Sequence, residues 1–312
     1  MIEYFRTDNV YGSLEKLDEE EEGCWIALFD PTEEELTSTA LRFGIDLDDM
    51  RAPLDLEEIS RVEREGDYTM FIVDTPLHDK SRGEHGYTTI PLGIIQTTTN
   101  VISVCTISRI SVISRMKAAR GLHPTNDIIG FTSDLLISSS GAYGKFLELL
   151  NQRRIRLATV NEAPTRAHLA ELYALDSSLV FFKTSLTTNK TVFERYRRTL
   201  AARGDVRALD LIDDVIIENS QMLETTSLYS EILDSTIDHF GLMMDYDLNH
   251  TMMLVAAITL VLCIPTVIGG LFGMNVGGIP FSGAPWGFAV ITGITAIVLV
   301  AVLILLKKLK WF

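Results

Sequence analysis

Two uncharged apolar segments near the end of the sequence constrain its fold more than any other feature. They cover residues 252–272 and 286–306, and neither contains Asp, Glu, Lys or Arg. A helix of this length spans about 31 Å, close to the roughly 30 Å hydrocarbon core of a bilayer. Core helices of soluble proteins are seldom uncharged on every face over such a length. We therefore predict two transmembrane helices joined by an outer loop over residues 273–285.

The charged residues predict how these helices are oriented. All 42 acidic residues precede residue 251, and the only charges after it are Lys307, Lys308 and Lys310. Lysines beside an apolar segment favour the cytoplasmic side. The first residues, MIEYFRTDNV, contain no basic segment followed by an apolar one, so no secretory signal is predicted. We expect a multi-pass protein of the cell (inner) membrane with both termini in the cytoplasm.

Composition also excludes several classes of function. The net charge of −15 argues against a nucleic-acid partner, because binding phosphates requires Lys and Arg to displace counterions. Cys24, Cys105 and Cys263 are far apart, which argues against a disulfide framework or a structural zinc site. The sequence has no GxxxxGK[ST] phosphate loop and no nucleophile paired with a base. We therefore expect a cation-binding protein that is not an enzyme.

The residues before the apolar segments predict an α/β domain followed by long helices. Short β-rich segments occur at residues 24–30, 68–74, 87–96 and 100–106. Two intervening segments begin at proline and close with glycine, which predicts helices there; they are PTEEELTSTALRFG and PLDLEEISRVEREG.

We assign residues 1–120 to this cytoplasmic α/β domain and residues 121–250 to a helical region. The last helix of this helical region is a stalk helix that begins at about residue 205 and continues into the first apolar segment. The membrane hairpin and basic C-terminus occupy residues 251–312. A helix this long requires lateral partners, which favours oligomerisation or packing by the preceding helices.

Polar residues follow one face of this long helix. Alternating steps of three and four residues keep positions on the same face, and from Asn249 they reach a mostly polar set: Asp238, Asp245, Met252, Thr259, Cys263 and Thr266. Small and hydroxyl residues also allow close helix packing in lipid. Because this stripe includes carboxylates and amides and points towards Asn275, it favours a cation path formed by several copies. Mg²⁺ loses its water reluctantly, so neutral oxygens suit its hydrated form.

The sequence GMN at Gly273, Met274 and Asn275 closes the first apolar segment. Together with the short outer loop, the second segment and the KKLKWF end, it resembles the CorA metal-ion transporter family. The resemblance covers the whole chain in layout and is most specific from about residue 205 onward. It implies a funnel-shaped homopentamer in which the first membrane helix of each subunit lines the pore. It also implies passive Mg²⁺ uptake, with Co²⁺ and Ni²⁺ as further ions.

The resemblance extends to individual residues of the pore. It implies an outer selectivity ring at Asn275 and an inner acidic ring at Asp238. Asn249, Met252 and Thr266 match polar pore positions of the family, whereas Val255 and Cys263 stand where other apolar residues are frequent.

A regulatory Mg²⁺ site between neighbouring subunits is also implied by the resemblance. Its stalk carboxylate corresponds to Asp214, and its partner in the α/β domain to Asp79.

The outer loop departs from the magnesium-type pattern. VGGIPFSGAPW has no acidic residue, and its GGIP stretch resembles the zinc-transporting ZntB branch. A Zn²⁺ transporter, with or without proton coupling, is therefore one alternative. A membrane-anchored Mg²⁺ sensor is another. The intact GMN and the lack of a His or Cys cluster favour a hard, hydrated ion, so Mg²⁺ is the first expectation.

Overall fold

The computed structural model describes residues 1–7, 12–79, 86–107, 111–159, 165–281, 283–309 and 311. These residues divide into two compact units, one extending to Ile237 and the other starting at Asp238. The α-helices of the described residues are α1 (Glu33–Phe43), α2 (Leu47–Arg51), α3 (Ser111–Ala118), α4 (Ile128–Ala158), α5 (Arg166–Arg203), α6 (Val206–Phe272) and α7 (Gly287–Lys308). A short 3-10 turn covers Ala52–Leu54.

A seven-stranded sheet organises the first unit. Its strands are β1 (Ile2–Thr7), β2 (Leu14–Leu17), β3 (Trp25–Phe29), β4 (Arg61–Glu65), β5 (Tyr68–His78), β6 (Tyr87–Gln96) and β7 (Val101–Cys105). Their order across the sheet is β2-β1-β3-β7-β6-β5-β4. The β3 and β7 strands pair in parallel, and the other neighbours pair antiparallel.

Both faces of this sheet are buried. Along β3, Trp25 and Ala27 belong to one core cluster, whereas Ile26 and Leu28 belong to another. This alternation follows from the two-residue period of a strand. Helices α3 to α6 pack on the first face, and α1 and α2 on the second. Burial on both faces explains why β3 is apolar without interruption and why β7 is apolar except at Ser103, whose hydroxyl oxygen accepts a hydrogen bond from Trp25 Nε1 at 3.0 Å.

One of the two helices predicted in this unit is confirmed and the other is wrong. Thr32 and Glu35 form a capping box at the start of α1, and Gly44 ends the helix with left-handed backbone angles. Residues 53–66 do not form a helix. Only a 3-10 turn occurs at their start, and β4 pairs with β5 across the turn at Gly66. The sheet offers β4 a hydrogen-bonding neighbour, and this tertiary pairing overrides the local helix signals.

The long helix α6 is held by α4 and α5 in the first unit. Asn219 of α6 is fully buried. Its Nδ2 donates to the carbonyl oxygen of Leu186 at 2.9 Å, and its Oδ1 accepts from Ser140 at 3.3 Å. These bonds supply the lateral partners that a helix of 67 residues requires. The predicted α/β fold with long helices and two apolar C-terminal helices is confirmed.

Candidate ion path

The polar stripe of α6 is exposed along its whole length in the single chain. Met252 is 63 % exposed and Val255 58 %. The remaining predicted path residues on this helix are also exposed: Asp238, Asp245, Asn249, Thr259, Cys263 and Thr266. Exposed hydroxyl, thiol and amide groups on an otherwise apolar membrane helix require a polar environment or a polar partner.

The opposite face of α6 is the covered one. Ala257 has no exposed surface, and Leu254, Val261, Ile264 and Ile268 are half-buried. A helix turns by about 100° per residue, which places this group across the helix from the stripe. Residues of α6 and α7 together line a cavity of about 820 Å³ on this side. The two apolar helices of one chain therefore border this cavity together and leave the stripe open.

The threonine hydroxyls of the stripe are oriented by the helix backbone. Thr259 Oγ1 donates to the carbonyl oxygen of Val255 at 2.8 Å, and Thr266 Oγ1 donates to that of Leu262 at 2.9 Å. Each hydroxyl group uses its single hydrogen in this bond, and its oxygen lone pairs remain able to accept hydrogen bonds. A hydrated cation presents its water hydrogens outward. The stripe therefore offers acceptors that match the surface of a hydrated cation.

The three residues of the GMN sequence follow the end of α6. The amide of Gly273 donates to the carbonyl oxygen of Gly269 at 2.9 Å, which closes the helix. A Cβ at Gly273 would lie 3.1 Å from that oxygen, so a larger residue would be crowded here. Met274 and Asn275 are exposed beyond the last turn. The last carbonyls and the negative end of the helix dipole favour a cation at this position.

The two carboxylates predicted to regulate the protein lie in the first unit. Asp214 is exposed on α6, and Asp79 follows β5 in a half-buried position. The amide of Asp79 donates to the carbonyl oxygen of Gly86 at 2.9 Å. Over the described part of the chain, no group of three or more His, Cys, Asp or Glu side chains is arranged to hold a metal ion. A metal bound at either carboxylate would need further ligands.

Sequence reasoning missed the residues that define the covered face. Ala257, Ile264 and Ile268 repeat at the spacing that places residues on one helical face, so the signal was present among the apolar residues. It was hidden because the surrounding positions are equally apolar.

Of the C-terminal basic residues, Lys307 and Lys308 end α7, and Lys310 lies outside the described residues.

Known proteins resemble this chain over nearly its full length. The cobalt/magnesium transport protein CorA of Methanocaldococcus jannaschii is 24% identical over 293 residues, which cover 92% of this chain and 90% of that protein. The solved structure of the CorA magnesium transporter from the same organism has a TM-score of 0.83 at 22% identity and covers 100% of this chain and 99% of its own. The full-length CmaX protein has a TM-score of 0.70 at 16% identity, covering 98% of this chain and 97% of that one.

These similarities extend from the sheet to both apolar helices. The model of the family described as CorA-like Mg²⁺ transporter protein matches residues 20–308. The match includes the α/β unit, the long helix α6 with its polar stripe, and the second apolar helix α7. The chain belongs to the CorA-like Mg²⁺ transporter family.

Proposed function

We propose that the chain is one subunit of a passive channel for hydrated divalent cations, with Mg²⁺ as the main ion and Co²⁺ and Ni²⁺ as further ions. The observation that supports this proposal most directly is the difference in exposure between the two faces of α6. One face borders the cavity that α7 also lines, and the opposite face exposes the acceptor groups of the stripe.

A homopentamer would bring five stripes to a common axis. Met252 lies within the stripe and Val255 beside it; both are exposed and apolar and would form dry constrictions of the path. Asp238 and Asp245 would form acidic rings on the cytoplasmic side. This arrangement gives each exposed polar group of the helix an aqueous environment within the bilayer.

The GMN residues would form the outer end of the path. Gly273 closes the helix, Met274 and Asn275 follow it, and a ring of Asn275 amide oxygens would hold a hydrated dication through its water. Neutral oxygens bind the ion weakly enough for it to leave, as conduction requires. The membrane potential suffices as the driving force, because a dication entering the cell gains about 4.6 kcal/mol per 100 mV.

Both termini would then lie in the cytoplasm. The lysines at the end of α7 lie at the cytoplasmic surface in this arrangement, and the loop over residues 273–285 faces outward. We assign residues 1–120 and 121–250 to the cytoplasm and residues 251–312 to the hairpin and its basic end. The neighbouring partners are further copies of the chain and lipid.

Cytosolic Mg²⁺ would close the channel by binding between subunits. Asp214 of one copy and Asp79 of the next would supply the carboxylates. Hard oxygen ligands with retained water suit Mg²⁺.

Zn²⁺ transport remains an alternative. The outer loop has no acidic residue, and the exposed thiol of Cys263 gives each subunit one soft ligand on the stripe. Ion flux into liposomes separates the two when Mg²⁺, Co²⁺, Ni²⁺ and Zn²⁺ are compared with and without a pH gradient. Zn²⁺ flux that requires the gradient, with no Mg²⁺ flux, contradicts the proposed channel.

The decisive variant is Asn275→Ala. We expect it to abolish selective Mg²⁺ flux in purified, reconstituted protein, whereas Thr292→Ala on α7 should leave flux unchanged because that residue is off the stripe. A membrane-anchored sensor would be indifferent to Asn275→Ala. Unchanged flux in a folded oligomer of this variant therefore overturns the path.

A further inference from the structure

A basic cavity lies in the first unit, far along the sequence from the stripe. It is formed where the end of the β5–β6 hairpin meets α4, and its volume is about 360 Å³. His78 and Tyr87 pair across the hairpin at this end. Lys145, Phe146, Leu149, Gln152, Arg153 and Arg156 of α4 form the other side. The volume lies within the range of about 300–1,000 Å³ that is typical of small-molecule sites.

The charges that line this cavity are all positive. Lys145, Arg153 and Arg156 contribute cationic groups, and no Asp or Glu is among the described lining residues. Arg153 is bonded to Glu171. In the described part of the chain, no carboxylate forms an ion pair with Lys145 or Arg156. Two cations thus remain for an anionic ligand in a protein whose net charge is −15.

The positions of these residues on α4 place them along one side of the helix. Lys145, Leu149, Gln152 and Arg156 follow at steps of four, three and four residues, which is the spacing of one helical face. The side from Leu149 to Arg156 extends over about 10 Å at 1.5 Å per residue. The cavity therefore has a cationic end at Arg156 and an apolar region at Leu149, with Lys145 one helical turn beyond that region.

Aromatic side chains form the wall of the apolar region. The ring centroids of Tyr87 and Phe146 are 5.2 Å apart, and those of His78 and Tyr87 are 5.3 Å apart. Tyr87 is buried and Phe146 half-buried, while Leu149 is 42 % exposed. A flat apolar ring could be covered by this wall while its polar substituents remain near the cations.

We propose that this cavity binds a nucleoside polyphosphate. The base would lie against Phe146 and Leu149, and the phosphates would reach Arg156 and the second amide hydrogen of Gln152. Arg153 is already paired with Glu171, and Gln152 Nε2 already donates one hydrogen to Glu148 at 3.2 Å. Planar guanidinium groups match phosphate oxygens in geometry and charge. Lys145 would add a further positive charge beside the ring end. The proposal uses no residue of the ion path, although His78 of the cavity adjoins Asp79 of the proposed regulatory site.

Calorimetric titration of the full-length protein in detergent tests the proposal. The ligands are ATP, ADP, adenosine and inorganic tripolyphosphate, in metal-free buffer so that the transported ion does not contribute. We expect ATP to bind most tightly, with tripolyphosphate and adenosine each at least tenfold weaker. Tripolyphosphate binding as tight as ATP, or no ATP binding, overturns the proposal.

Variants assign the binding to this cavity. Arg156→Ala should weaken ATP binding by about tenfold or more, because it removes the charged donor at the phosphate end. Lys145→Ala should weaken ATP binding by a smaller factor, because Lys145 lies beside the ring end. Phe146→Leu should weaken ATP but not tripolyphosphate. Lys183→Ala is the matched control, because Lys183 is an exposed lysine of α5 outside the cavity. Equal losses in Lys183→Ala and Arg156→Ala overturn the assignment, and circular dichroism verifies that each variant is folded.

Discussion

Ala257 and Thr266 lie on opposite faces of α6, because nine residues correspond to two and a half helical turns. Ala257 is fully buried, whereas Thr266 is exposed. One face of this membrane helix is thus already used for packing within the chain, and the other is available to neighbouring copies. The predictions for the stripe follow from this division.

Replacing Ala257 should destabilise the hairpin. We expect Ala257→Leu to cost about 1–3 kcal/mol, the usual cost of overpacking a filled site, and to lower the thermal midpoint measured by circular dichroism in detergent. Ala256→Leu is the matched control, because Ala256 is exposed one residue away. It should change ion flux more than stability. Equal thermal midpoints for the two variants would show that the Ala257 face is not packed.

Mg²⁺ flux should depend more on the side-chain oxygen of Thr266 than on the shape of the side chain. Thr266→Ser keeps an acceptor oxygen, so we expect near-normal Mg²⁺ flux. Thr266→Val has a similar shape without the oxygen, and flux should fall by about fivefold, since one hydrogen bond contributes about 1 kcal/mol. Stopped-flow flux with a Mg²⁺ dye measures both variants. Thr295→Val on α7 is the control, and a loss of the same size there would contradict a special role for the stripe.

A thiol reagent should label the protein at Cys263. Cys263 is exposed, whereas Cys24 and Cys105 are buried. Burial raises the pKa of the Cys105 thiol to about 11 and also raises that of Cys24, so neither forms much reactive thiolate at neutral pH. We expect a charged methanethiosulfonate to block ion flux in the original protein and not in Cys263→Ser. Complete labelling of Cys263 with unchanged flux would remove this residue from the path.

The regulatory carboxylates can be tested by proteolysis. If Mg²⁺ bridges Asp214 and Asp79 of neighbouring copies, each Asp→Asn substitution should weaken the protection that Mg²⁺ gives against a protease. Asp210→Asn is the matched control, because Asp210 is also exposed and lies one helical turn before Asp214. Protection in Asp214→Asn equal to that of the original protein would exclude Asp214 from the site.

The half-buried carboxyl of Asp74 predicts a pH dependence of stability. Burial raises the pKa of Asp74 despite hydrogen bonds from Ser185 and Ser60 that lower it. The folded state therefore holds the proton more tightly than the unfolded state, and stability falls as the pH rises through the raised pKa. Asp74→Asn should have the higher thermal midpoint at pH 7, and this advantage should disappear at pH 3. An advantage that is constant with pH would contradict the assignment to this carboxyl.

Much of the fold was predictable from local patterns. The strands β3, β5, β6 and β7 overlap the β-rich segments found in the sequence, and α1 has the predicted cap. The segment around β4 was misassigned because its acidic residues and closing glycine also occur in helices. Its pairing with β5 is a tertiary interaction that local spacing does not encode.

The sequence by itself determined the two apolar helices, the polar stripe and the GMN residues, because each depends on composition or on the fixed geometry of one helix. Only the tertiary structure decided which face of α6 is covered, since its apolar residues are nearly equivalent in sequence and only packing buries Ala257. The tertiary structure also brought Tyr87 to Lys145 and Arg156. Residues so distant along the chain become neighbours through packing of the sheet against α4, which no local pattern specifies.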